Sequence, residues 1–379
     1  MGEALLFKDV LVVNVDKAEQ ADVLVADGRI IDVGSQLESG ARRIDGSGKI
    51  LMPGFIDIHV HGAAGFDVMD ADASALSGMA RALPEEGVTA FMATTMTQES
   101  EQVAHAIQAA GNYESEAGEA ELLGIHLEGP FLSRDKAGAQ NPAFFQAPDI
   151  ERFEEWQKHS AGKIRIVTLA PELEGAPEFI EMLDQQGVIV SIGHSDASYE
   201  QAIASGARHV THLFNQMSAF HHRKPGVVGA AMLDSSLRVE LIADLIHSHT
   251  AAVELAYRQI GPERLILVTD AMRAKGLAFG DYELGGQQVS VGTSGARLND
   301  GMLAGSVLAM DTALRNIRKI TACELTELVS MSSNNAAVSL GLSKKGRIAK
   351  GMDADLVMLT QSLEVELTLC RGEIAFNKN

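Results

Sequence analysis

Apolar and polar positions alternate at both ends of the chain and fall into a different rhythm in between. The first 50 residues read as short strands, LLFKDVLVVN, ADVLVADGRIIDVG and RRIDGSGKILM, with Asp27-Gly28 and Gly46-Ser47-Gly48 as turn signals. The last 35 repeat that style in GRIAKGMDADLVMLT and VELTLCRGEIAF. Chain termini often lie close together, so the two ends are expected to build one small β-sandwich domain from residues 1–52 and 346–379; two independent β appendages are the alternative.

Between these ends, residues 53–345 alternate short apolar runs with helical stretches such as 72–83 and 98–110. Eight runs stand out: FIDIHVH, VTAFMATT, LLGIHLE, IRIVTLA, VIVSIGH, HVTHLF, RVELIAD and RLILVTD. Strands buried on both faces read as near-continuous Val, Ile and Leu, and eight of them with crossover helices predict an α/β fold, a TIM-like (β/α)8 barrel. An open doubly wound sheet is the rival. Most runs finish in an ionisable residue, and in a barrel all eight strand C-termini open onto one face. That convergence favours the barrel and predicts an active site there.

His59 and His61 are two residues apart in GFIDIHVHG, so on a strand both imidazoles point the same way and can grip one ion, an arrangement that a structural His pair would also produce. Glu128 closes LLGIHLE ahead of Gly129-Pro130, where its two oxygens could bridge two cations or simply face solvent. His126, one layer deeper on the same face, is assigned to support. His194 and His212 end the next two His-bearing runs and complete a three-ligand set with Glu128, the number a catalytic metal needs if one position is to stay open for water. His209 begins its strand and is expected at the opposite end. Asp270 ends the eighth run, either as a helix N-cap or as a proton acceptor beside the metal.

With 31 Lys plus Arg against 51 Asp plus Glu, the formal charge is −20, which argues against nucleic-acid and membrane-surface partners. At 46% hydrophobic residues and 9 Pro the chain can bury a large core. No apolar run reaches the roughly 18 residues of a membrane span. Cys323 and Cys370 form neither a disulfide framework nor a metal spacing, and the N-terminus carries no export signal, so a cytoplasmic location is expected.

Taken in order, GFIDIHVHG, HLEGP, GHS, THLFNQM and TDAM resemble the amidohydrolase superfamily and, within it, the N-acetylglucosamine-6-phosphate deacetylase family, over essentially the whole chain. The resemblance implies one divalent ion, zinc or iron, on Glu128, His194 and His212, and a second on His59 and His61 with Glu128 as the bridge. It implies Asp270 as the catalytic acid and base. It also places Arg223, with His222, in a loop HHRKPG that reaches the sugar phosphate, often across a homodimer. Ala139, Asn215, Gln216, His247, Leu303, Ala304 and Gly305 match its sugar-binding segments. Gln216 stands where Ala is common, and Gln140 where some members carry a His. The implied reaction removes acetate from N-acetyl-D-glucosamine 6-phosphate in amino-sugar catabolism. The competing readings are the galactosamine epimer, another amidohydrolase acting on a cyclic amide or dipeptide, and a noncatalytic sugar-phosphate sensor.

Overall fold

The computed structural model describes residues 3–378. Its centre is an eight-stranded parallel sheet whose strands follow one another in sequence order: β1 (Phe55–Val60), β2 (Val88–Thr94), β3 (Glu121–Glu128), β4 (Ile164–Leu169), β5 (Ile189–Ile192), β6 (His209–Val210), β7 (Arg238–Leu241) and β8 (Leu265–Leu267). The segment after β8 closes the ring. Asp270 N–H donates to His59 O at 2.8 Å, and Ala271 forms a parallel bridge with Val60.

Each strand is followed by a helix: α1 (Ala73–Ala82), α2 (Ser100–Asn112), α3 (Ile150–His159), α4 (Ala176–Gln185), α5 (Tyr199–Ala204), α6 (Gly226–Leu233), α7 (Thr250–Ile260) and α8 (Met310–Thr321). Their patterning explains the docking. In α8, Met310, Ala313, Leu314 and Ile317 are buried at helical spacing, while Asp311 pairs with Arg315 at 2.5 Å. Sandwiched between helices and barrel interior, β1 and β2 are buried along their whole length, which is why neither shows a solvent-facing polar side and why Asp57 and His59 of FIDIHV are buried inside the fold.

The barrel interior holds polar groups that satisfy one another. His126 Nε2 meets Thr168 Oγ1 at 2.7 Å, and the Thr211 hydroxyl contacts those of Thr168 and Ser191 at 2.8 and 2.6 Å.

Strands from both termini form one mixed sheet running from Glu373–Asn377 through Val365–Cys370, Leu356–Leu359, Ile50–Pro53, Leu5–Val13 and Ala18–Ala26 to Arg29–Gly34, with Arg42–Asp45 on the side. The sheet curls until its ends meet. Ala354 N–H donates to Gly28 O at 3.0 Å, and Gly372 packs so tightly on Gly28 that a Cβ there would lie 2.8 Å from the Gly28 Cα. Leu5, Phe7, Val23, Leu356 and Leu369 fill the resulting β-sandwich.

One element was not foreseen. Residues Gly280–Leu284, Gln287–Gly292 and Gly295–Leu298 form an antiparallel meander between β8 and α8. It packs on Met96, Met272 and Ala304 through Leu284, Val289 and Ala296.

Candidate metal centre

The chain leaves its strands where the ionisable residues stand. His194, His212 and Asp270 have φ of 48°, 30° and 48°, a left-handed backbone that costs non-glycine residues about 1–3 kcal/mol each and that concentrates at functional sites. This turn-out ends β5, β6 and β8 earlier than their apolar runs suggest, and the three side chains gather on the same floor as Glu128.

Glu128 is the hub. Its Oε1 lies 3.2 Å from His212 Nε2, 3.3 Å from His194 Nε2 and 3.5 Å from His59 Nε2. Its Oε2 lies 3.4 Å from His61 Nε2. Asp270 Oδ1 is 3.1 Å from His61 Nε2 and 3.4 Å from His59 Nε2. Two candidate ligand sets therefore share one carboxylate, His59 with His61 and Glu128, and Glu128 with His194 and His212.

The chemistry of these donors fits a cation. His59 Nδ1 faces the Glu240 carboxylate at 2.9 Å, His61 Nδ1 faces Thr94 O at 3.1 Å, and His194 Nδ1 faces Lys136 O at 2.8 Å. Each partner accepts only, so each Nδ1 carries a proton and Nε2 is the nitrogen turned inward, where its lone pair is available to an ion once the ring gives up its second proton. There those lone pairs meet carboxylate oxygens, and His59 Nε2 has no hydrogen-bond partner. Acceptors facing acceptors in a buried space require positive charge between them.

The same demand appears in the protonation equilibria. Burial alone would lower the His59 pKa, yet Asp270, Glu128 and Glu240 together raise it well above the ordinary imidazole value. Burial alone would raise Glu128, yet the surrounding imidazoles hold it well below the usual carboxylate range. Asp270, opposed by burial but facing His59 and His61, is pushed down to about 2.

His126 and His209 stand apart. Burial lowers both to about 4, so both are neutral. His126 uses Nδ1 on Ile58 O at 2.9 Å and Nε2 on Thr168, which leaves no lone pair for an ion. His209, at the start of β6, contacts the Ser339 hydroxyl.

A cavity of about 280 Å³ opens over the hub, with His61, Glu128, His194, His212 and Asp270 in its floor. Of the residues expected on the sugar side, Ala139, Asn215, Gln216, His247, Leu303 and Gly305 reach its wall. Asp244 takes His247 Nδ1 at 2.7 Å and, against the burial that would lower it, raises the His247 pKa. Ala304 is fully buried behind the wall. His222 and Arg223 lie outside this cavity, exposed, with Arg223 lining a separate surface groove beside Tyr199 and Lys224.

Two contributors were not anticipated. Glu240 is fully buried and, besides His59, accepts the His212 backbone N–H at 3.3 Å. Its signal is a lone carboxylate in RVELIA, which in a strand covered by helices outside has to point into the barrel. Arg297 reaches the cavity from the meander, with Nε on Ser294 O at 3.1 Å and Nη1 on Gly301 O at 2.7 Å.

This combination of closed barrel, β-sandwich and strand-end histidines around one carboxylate defines a class. Residues 50–375 match the model of the amidohydrolase family, and the chain belongs to that family. It is 47% identical over 382 residues to the N-acetylglucosamine-6-phosphate deacetylase of Lysinibacillus sphaericus, covering 99% of each chain. Its fold superposes with a TM-score of 0.93 and 30% identity, over 99% of this chain and 100% of the other, on a mutant of the Mycobacterium smegmatis N-acetyl-D-glucosamine-6-phosphate deacetylase in complex with N-acetyl-D-glucosamine-6-phosphate. It is also 37% identical over 332 residues, 86% of this chain and 88% of the relative, to the N-acetylgalactosamine-6-phosphate deacetylase of Escherichia coli O157:H7. Among the described residues no helix is long and apolar enough to cross a membrane.

Proposed function

We propose that the chain hydrolyses the acetamide of N-acetyl-D-glucosamine 6-phosphate to D-glucosamine 6-phosphate and acetate. The observation that carries this reading is Asp270. An ionised, almost wholly buried carboxylate stands 3.1 Å from His61 within a five-residue ligand cluster, on the floor of a cavity walled by the expected sugar-binding segments.

Glu128, His194 and His212 would hold a divalent ion, with His59 and His61 available for a second, and such an ion would supply Lewis acidity for the hydrolysis. Zinc and iron both suit this donor set of imidazoles and a carboxylate. The remaining work belongs to the chain. Asp270 accepts the proton released as water attacks the carbonyl carbon and delivers it to the amide nitrogen. Without that delivery the tetrahedral species would collapse back, because an amine anion is a very poor leaving group. His247, oriented by Asp244, presents its other ring nitrogen to the sugar.

Arg223 reads the phosphate from a neighbouring copy in a homodimer. Its exposure and its separation from its own chain's cavity support that arrangement, and its planar fork suits phosphate oxygens. Two buried free thiols, Cys323 and Cys370, support a reducing, cytoplasmic setting.

The galactosamine epimer is the second reading, favoured by the similarity to the Escherichia coli O157:H7 relative. Acetate release from the two sugar phosphates and from unphosphorylated N-acetylglucosamine tests the reaction and its substrate. The expected order places N-acetylglucosamine 6-phosphate first and the unphosphorylated sugar last. A higher kcat/KM on the galactosamine phosphate would transfer the assignment to the epimer, and no acetate from any of the three would refute it.

A further inference from the structure

One short loop, residues 133–140, holds both Glu128 and His194. Ser133 N–H donates to His194 O at 2.9 Å, and Lys136 O accepts from His194 Nδ1 at 2.8 Å. Four residues later comes Gln140, 3% exposed. Its amide cannot be turned around. Thr97 N–H can only donate, and it lies 2.8 Å from Gln140 Oε1. The amide nitrogen is therefore on the other side, 2.6 Å from Glu128 Oε2 and 3.5 Å from Met96 Sδ.

That contact has a particular standing. Glu128 Oε1 and Oε2 otherwise face only imidazole nitrogens, at 3.2 to 3.5 Å. Once those nitrogens direct lone pairs at an ion they give Glu128 no hydrogen bond. Among the described residues, the Gln140 amide is then the one side-chain donor left on this carboxylate, and a donor to an ionised oxygen makes a strong, directional bond. It fixes the plane of the carboxylate so that Oε1 faces His59, His194 and His212 while Oε2 is shared with His61.

We propose that Gln140 is a positioning residue of the metal centre, locking Glu128 in the orientation that lets one carboxylate serve both ligand sets. The proposal rests on the reading of the site as a metal centre, and Gln140 takes part in no proton transfer.

The test is zinc affinity of the full-length protein stripped with a chelator, measured by competition with a chromophoric chelator, with Co²⁺ absorption as a report on coordination. Gln140→Met keeps the length of the side chain and removes the donor. Its affinity is expected to fall by about 10–100-fold, the usual effect of losing a hydrogen-bond partner of a ligand. Gln140→His retains one acceptor and one donor, enough for Thr97 and Glu128, and is expected to recover most of the loss and a wild-type Co²⁺ spectrum.

Wild-type affinity in the Met variant would overturn the proposal, as would equal losses in the Met and His variants. Thermal melting in chelator identifies a folding defect. If the Met variant shows one, Gln140→Asn, one methylene short of Glu128, carries the same expectation and the same refutation. No sugar enters these titrations, so their failure leaves the deacetylase reading intact, and failure of acetate release leaves them interpretable.

Discussion

Glu240 Oε2 lies 2.9 Å from His59 Nδ1 and also accepts the backbone N–H of His212, so one fully buried carboxylate holds a member of each candidate ligand set. The carboxylate sets the His59 tautomer, and with it the Nε2 lone pair that turns toward Glu128.

Glu240→Leu removes the acceptor and leaves two donors unpaired in an enclosed interior. Zinc affinity is expected to fall about 10–100-fold, with about 1–3 kcal/mol lost from stability in chelator. Glu240→Gln keeps an acceptor oxygen for the same two donors and should lose much less of both. Competition titration and denaturant melts check the pair, and equal behaviour of the two variants would remove Glu240 from this role.

Arg223 lies outside its own chain's cavity, so in the proposed homodimer its effect should cross between subunits. Arg223→Ala is expected to raise KM for the sugar phosphate while leaving hydrolysis of the unphosphorylated sugar unchanged. Mixing Arg223→Ala with an Asp270→Asn chain, after unfolding and refolding together, should restore about a quarter of wild-type sites. Half the dimers would be hybrids, each with one complete site. A mixture no more active than its parents would place the Arg223 contribution within its own chain or nowhere.

Asp22 offers a pH signature far from the site. It binds Lys8 Nζ at 2.7 Å and accepts the N–H groups of Asp9 and Leu37 at 2.9 and 2.8 Å. Burial alone would raise its pKa, but these partners lower it below the ordinary value. A carboxylate whose folded pKa is depressed stabilises the fold above its unfolded value, about 3.9. That stabilisation is lost as the pH falls through the folded value. Asp22→Asn should therefore lower the melting temperature at pH 7 and converge with the wild type in acid. A constant offset across that range would mean that the charge contributes nothing.

The barrel and its site were legible because both rest on strong local signals. Strands buried on two faces have to be apolar along their length, and an ionisable residue at the end of such a run has few places to go but the barrel mouth. Strand ends were less legible. HVTHLF reads as one run, yet only His209 and Val210 are strand, since His212 adopts a backbone that no periodicity encodes. The meander at 280–298 was missed because its short strands are half exposed and rich in Gly, like a loop. Glu240 was missed because a single Glu in an apolar run reads as pattern noise until the closed ring shows that it faces inward. Ala304 matched a binding segment, but its backbone turns the methyl into the core while Leu303 and Gly305 reach the wall.

The most direct measurement is made on Asp270→Asn, with bound metal and acetate release from N-acetylglucosamine 6-phosphate determined on the same preparation. Loss of a proton-transfer group costs about 10²–10⁴-fold in rate, and none of the five candidate ligand positions is altered. The expected result is turnover reduced by at least that range with wild-type metal content. Turnover close to wild type with the metal in place would contradict the role given to Asp270 and, with it, the mechanism built on this floor.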